Sequence, residues 1–106
     1  MLRGYDIDGV LTAGIQPIPP AVAISGRVFA GYDDFAKHIA QLFPVYMRGV
    51  GYMDAVSAGE FKAMIINYLG VEEFHEDDPV QEAIIKQKCP KCIVVMHPNP
   101  MHDKKK

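Results

Sequence analysis

The stretch Leu2-Arg3-Gly4-Tyr5-Asp6-Ile7-Asp8-Gly9-Val10-Leu11-Thr12 decides the fold. Its first half, Leu2–Ile7, is short, apolar and ends in acid, which reads as a strand whose last residues carry chemistry. Two carboxylates two residues apart on an extended chain lie on the same side, so Asp6 and Asp8 can address one ligand together. Gly9 permits the tight backbone turn that must follow. An Asp-x-Asp alone is equally the capping pair of a strand-end turn. The Gly9-Val10-Leu11-Thr12 that follows gives this pair its weight.

Outward from this strand, short apolar runs alternate with helical patterns. Ala21–Ser25 reads as a small buried strand between Pro19-Pro20 and Gly26. Phe35, Ile39, Leu42 and Phe43 have helical spacing within Tyr32–Phe43, and Pro44 blocks continuation. Val45–Arg48 is a third strand and Gly49–Ala58 a loop. Ser57 and Glu60 have capping-box spacing and predict a helix over Ala58–Leu69. Gly70 sits where a left-handed C-cap is needed. Glu72–Glu76 is a fourth strand. Asp78 and Pro79 read as N-cap and first position of a helix running to Lys88. Cys89–Lys91 is a turn and Ile93–Met96 a fifth strand.

Apolar strands separated by helices argue for an α/β fold, a Rossmann-like parallel five-stranded sheet with flanking helices. Ligands of such sheets bind beyond the carboxyl ends of the strands. The polar residues fall there: Asp6 and Asp8, Ser25 and Arg27, Arg48, then Glu76, Asp77 and Asp78.

The 106 residues fit one domain, expected over residues 1–98, with residues 99–106 a flexible basic tail. The net charge of −2 gives no electrostatic case for a non-specific nucleic-acid binder. No apolar run is long enough to span a bilayer. Two cysteines without an apolar leader lead us to expect reduced thiols and a cytoplasmic setting.

Asp6-Ile7-Asp8-Gly9-Val10-Leu11-Thr12 resembles the first motif of the haloacid dehalogenase superfamily, most of whose members are phosphatases. Ile24-Ser25-Gly26-Arg27 looks like the second motif, whose hydroxyl binds the transferring phosphoryl group. Lys62 matches the third, where an ammonium offsets charge on nucleophile and phosphate. Glu76-Asp77-Asp78 looks like the acidic fourth motif, which holds Mg²⁺. The resemblance covers roughly residues 2–96, and a shorter likeness, Ser25-Gly26-Arg27 and Pro79-Val80-Gln81, is to the phosphatase half of polynucleotide kinase phosphatases. It implies an Mg²⁺-dependent phosphomonoester hydrolase. Asp6 would be the nucleophile, and Asp8 the general acid and base. Ser25, Gly26 and Arg27 would hold the phosphate. Mg²⁺ would sit among Asp6, the Asp8 main-chain carbonyl and the acids Asp77, Glu76 or Asp78, Asp77 being favoured. Asp78 has a competing role as N-cap, and Lys62 would stand in the first turn of its helix, where a cation needs an anionic partner. Arg48 is equally an anion contact or a surface residue.

The chain departs from that family in two ways. Thr12–Pro20 and Gly49–Ala58 are too short for a cap domain, so the site should be open and capless. Gly9–Pro20, with Pro17, Pro19 and Pro20, has no helical pattern, which would leave one sheet face partly bare and favour a homodimer. The substrate would be a phosphorylated small molecule or a nucleic-acid end. A phosphate- or Mg²⁺-binding regulatory module without turnover is the alternative. A third reading is a zinc-containing nucleic-acid binding module using Cys89, Cys92, His97 and His102. It is opposed by the strand Ile93–Met96, which would hold Cys92 and His97 roughly 15 Å apart. His38 and His75 read as a surface helix residue and a strand residue, His97 as part of a loose tail, and the methionines as core filler.

Overall fold

The computed structural model describes residues 1–28, 33–48 and 54–98, with the side chains of Arg27 and Val28 also outside the description. Five strands form one sheet: β1 (Arg3–Tyr5), β2 (Ala21–Val28), β3 (Val45–Arg48), β4 (Glu73–Glu76) and β5 (Ile93–Met96). Their order is β3-β2-β1-β4-β5, and every pairing is parallel. The helices are α1 (Asp34–Ala40), α2 (Ala55–Leu69) and α3 (Pro79–Lys88). The α/β architecture expected from the strand and helix patterns is therefore present. No helix among the described residues is long and apolar enough to cross a membrane.

Period-two alternation along β2 sets the layers. Val22 and Ile24 face α2 and α3, joining Ala63, Ile66, Phe74 and Ile85 in one core cluster. Ala21 and Ala23 face the other way, with Tyr5, Ile7, Val10, Leu11, Ala36 and Ile39. Full burial of Ile24, Ile66 or Phe74 contributes about 1.5–3 kcal/mol each relative to exposure, and all three are essentially inaccessible.

The link from β1 to β2 contains no α-helix, as its prolines led us to expect. The sheet over β1 and β2 is nevertheless not bare. The chain closes a wide turn over Ile7–Leu11, in which Leu11 N–H donates to Asp6 O and Thr12 N–H to Ile7 O. Gly9 has φ 83°, a left-handed conformation that a side chain would strain. Buried Ile7, Val10 and Leu11 take the place of a crossover helix on that face. Farther along the same face β4 presents Glu73 and His75, and β5 beside it presents Ile93, which is exposed, and Val95.

Five elements have boundaries that differ from expectation. β1 spans Arg3–Tyr5 rather than Leu2–Ile7, and β4 begins at Glu73 rather than Glu72. α1 is shorter than Tyr32–Phe43, because the Asp33 carboxylate caps it by accepting from Ala36 N–H at 2.9 Å. β2 runs three residues beyond Ser25, to Val28, with its register against β3 shifting between Ile24 and Val28. α2 begins at Ala55 rather than Ala58. Asp54, not Ser57, is its N-cap, accepting from Ser57 N–H at 2.7 Å. Gly70 closes α2 with φ 74°.

Candidate functional site

β1 and β4 run side by side, so their carboxyl ends deliver Asp6 and Glu76 as neighbours. Asp6 N–H donates to His75 O at 3.0 Å and holds the two strand ends together. α2 crosses above them. A Cβ on Gly26 would lie 2.7 Å from Ala58 Cβ and 4.0 Å from Lys62 Cε. A side chain there would push α2 away, so Gly26 allows the close approach that brings Lys62 down onto the strand ends.

Lys62 Nζ lies 3.0 Å from Asp6 Oδ1 and 2.8 Å from Glu76 Oε2. All three side chains are withdrawn from solvent. The other Glu76 oxygen accepts from Asp77 N–H at 2.9 Å and Asp78 N–H at 3.3 Å. Glu76 thus fixes the lysine with one oxygen and the backbone of the following turn with the other. The helix start at Ala55 corrects the expected position of Lys62. It stands about two turns inside α2, and its partners are the carboxylates of Asp6 and Glu76.

Burial pushes the Asp6 carboxyl well above the ordinary carboxylate range; Lys62 pulls it down, while Glu76 and Asp77 add to the rise. Glu76 is raised for the same reason, burial, against the pull of Lys62. Burial works against the charge on Lys62, but Asp6 and Glu76 outweigh it and hold its pKa above the usual lysine value. Two carboxylates, Asp6 and Glu76, share one ammonium here, with the Asp77 carboxylate beside them.

Asp6, Glu76 and Asp77 each offer an oxygen within 4.8 Å of the others, the one such group of His, Cys, Asp or Glu among the described residues. An all-oxygen donor set suits a hard cation. Both Glu76 oxygens are engaged, one by Lys62 and the other by two backbone donors.

The remaining candidates divide. Asp78 takes the N-cap role that competed with metal binding: Oδ1 accepts from Val80 N–H and Oδ2 from Gln81 Nε2, each at 2.9 Å. Asp8 is exposed at the start of the Ile7–Leu11 turn. It lies outside the strand that was expected to carry it and outside the acidic group. Ser25 is fully buried in β2. Arg27 lies in β2, and its side chain is outside the described residues. Arg48 is a buried tie rather than a surface residue: Nε donates to Gly26 O at 2.9 Å and a terminal nitrogen to Ser57 Oγ at 2.7 Å.

Sequence reasoning missed one polar row. Tyr5 and His75 stack with ring centroids 4.5 Å apart, and His75 Nδ1 lies 2.7 Å from His97 Nε2. Glu73 Oε1 is 2.9 Å from His75 Nε2 and 3.2 Å from Arg3 Nε. His97 is therefore not part of a loose tail; its N–H donates to Glu76 O at 2.8 Å. The two-residue spacing of Glu73 and His75 was the available signal. β5 separates Cys92 from His97, and His102 lies outside the described residues.

No family model, no curated protein and no solved structure matches this chain.

Proposed function

We propose that this chain is a capless phosphomonoester hydrolase of the haloacid dehalogenase type, dependent on a divalent cation, of which Mg²⁺ is the choice. The observation that carries this reading is the buried set of Asp6, Lys62 and Glu76, with Asp77 beside it, at the carboxyl ends of adjacent parallel strands. Asp6 and Asp77 would hold the cation, whose chemistry is to screen charge between nucleophile and phosphate.

Asp6 attacks phosphorus through a carboxylate oxygen. The bond to the ester oxygen breaks, and Asp8 donates a proton to that leaving oxygen. The Asp8 carboxylate then takes a proton from water, the resulting oxygen attacks phosphorus, and the acyl–phosphate bond breaks to return Asp6 and inorganic phosphate. Exposure of Asp8 suits a group that must meet both leaving group and water. Lys62 keeps Asp6 oriented and offsets charge as the phosphoryl group arrives. Glu76 is a positioning residue, acting through Lys62. Ser25 and Gly26 belong to the phosphate side of the site, and the substrate class is a phosphorylated small molecule or a nucleic-acid terminal phosphate.

Hydrolysis of para-nitrophenyl phosphate by pure protein, with Mg²⁺ and with EDTA, tests the reading. Metal-dependent turnover that disappears in Asp6→Asn is expected. Turnover that persists in that variant or in EDTA contradicts it.

A further inference from the structure

The two cysteines lie away from this chemistry, at the opposite end of the sheet. Cys89 is the C-cap of α3, and the chain turns at once into β5. A cavity of about 440 Å³ opens there, bordered by Ile66, Asn67, Gly70, Val71, Cys89 and Cys92. Cys89 is buried, and its thiol donates to Ala63 O at 3.4 Å. Cys92 is partly exposed. Cys92 N–H donates to Cys89 O at 3.0 Å, the bond that closes a four-residue turn. Such a turn holds its end Cα atoms within about 7 Å of each other, a separation a disulfide can bridge. Both residues border the same cavity, with no strand between them in sequence.

The surroundings define what kind of thiol pair this is. Attacking thiols of disulfide oxidoreductases are acidified by a helix N-terminus or a nearby cation. Here the pair follows a helix C-terminus, whose dipole disfavours a thiolate. Burial raises Cys89, and burial together with Cys89 and Glu73 pushes Cys92 up to about 11. A slow, stoichiometric reaction fits these thiols, and a rapid catalytic one does not.

We propose that Cys89 and Cys92 form a reversible dithiol–disulfide modification site that reacts with low-molecular-weight disulfides at this cavity. Cys92, the accessible thiol, gives up its proton and attacks one sulfur of the small disulfide. A Cys92–thiol mixed disulfide forms, the small disulfide's own sulfur–sulfur bond breaks, and the departing thiolate takes up a proton. Cys89 then loses its proton and attacks the Cys92 sulfur. The mixed disulfide breaks, a second small thiol leaves, and the Cys89–Cys92 bond closes. The protein is oxidised by two electrons and the small disulfide is reduced to two thiols. Closing so short a loop constrains the unfolded chain little, and Cys89 must release Ala63 O, so the bond is readily reduced again.

The test is native protein equilibrated with a series of glutathione disulfide to glutathione ratios, quenched in acid, alkylated, and read by intact mass and peptide mapping. Wild type is expected to lose two hydrogens, to yield a peptide linking Cys89 to Cys92, and to revert with dithiothreitol. Cys89→Ser should stop at a mixed disulfide on Cys92, and folded Cys92→Ser should stay unmodified. Wild type that stays reduced at the most oxidising ratio overturns the proposal. So does wild type that accumulates mixed disulfide, links only between chains, or oxidises only in denaturant. The wild-type measurement decides alone should either variant fail to fold.

Discussion

The two faces of β4 handle charge in opposite ways. Toward α2, the strand sends Glu76 into a closed cluster with Lys62 and Asp6, and burial raises both carboxyls. Toward the other face it sends Glu73 and His75, part-exposed beside Arg3 and His97. There the His75 hydrogen bond is the main influence holding Glu73 below the ordinary carboxylate range, with Arg3 adding to it. Residues on one four-residue strand thus differ in sign of perturbation because α2 roofs one face and, among the described residues, no helix roofs the other. A roofed acid is harder to ionise, even beside the Lys62 ammonium, than an open acid paired at the surface.

Removing the ammonium should break the roofed face most severely. Lys62→Met leaves Asp6 and Glu76 buried without their partner, at a cost of about 3–5 kcal/mol. Urea or guanidinium unfolding measures it, and a loss below about 1 kcal/mol would show that the cluster is better solvated than its burial indicates.

The pH dependence sharpens the contrast. Burial holds the Asp6 and Glu76 carboxyls above their unfolded-chain values in the folded, metal-free protein. Their contribution therefore falls as pH rises from the ordinary carboxylate value through their raised values. Mg²⁺ favours the ionised forms, so its stabilisation should grow with pH. It should reach about 2.7 kcal/mol at a hundred times its Kd. Thermal unfolding with and without Mg²⁺ between pH 5 and 8 reads this; a Mg²⁺ effect that shrinks with rising pH contradicts it. Glu73 runs the other way. Its contribution is present above the ordinary carboxylate value and is lost as pH falls through its lowered one.

Smaller effects follow. Asp78→Ala should cost about 1 kcal/mol, the worth of a helix cap, without weakening Mg²⁺ binding. A large loss of Mg²⁺ affinity would return Asp78 to the metal site. Glu73→Gln should cost less than about 1 kcal/mol, as exposed pairs do, and a larger loss in denaturant unfolding would mean the open face is tighter than it looks.

Most of the sheet was legible because its strands are short apolar runs punctuated by Pro, Gly and acid. The carboxyl-end rule then located Asp6 and Glu76 before any contact was seen. The errors were local. Ser57 and Glu60 imitate a capping box, while Asp54, three residues earlier, makes the cap. That slip placed Lys62 at a helix start; Asp6 was expected near it, and Glu76 was not. Glu76 is 14 residues from Lys62 in sequence, and their pairing exists only once α2 lies over β4. The sequence favoured Asp77 as ligand and assigned Asp78 a competing role as cap, but did not foresee the pairing of Glu76 with Lys62. Backbone geometry separates them into a lysine anchor, a candidate ligand and a cap. Arg48 was undecidable because its acceptors, Gly26 O and Ser57 Oγ, come from two other segments.

Beryllium fluoride, a phosphoryl mimic for carboxylate nucleophiles, tests the central claim without knowledge of the substrate. Its binding can be followed by fluorine NMR on wild type and on Asp6→Asn, each with Mg²⁺ and with EDTA. A bound signal that requires both Asp6 and Mg²⁺ is the predicted result. Binding that survives Asp6→Asn, or that is indifferent to Mg²⁺, would contradict a cation-assisted nucleophile at the end of β1.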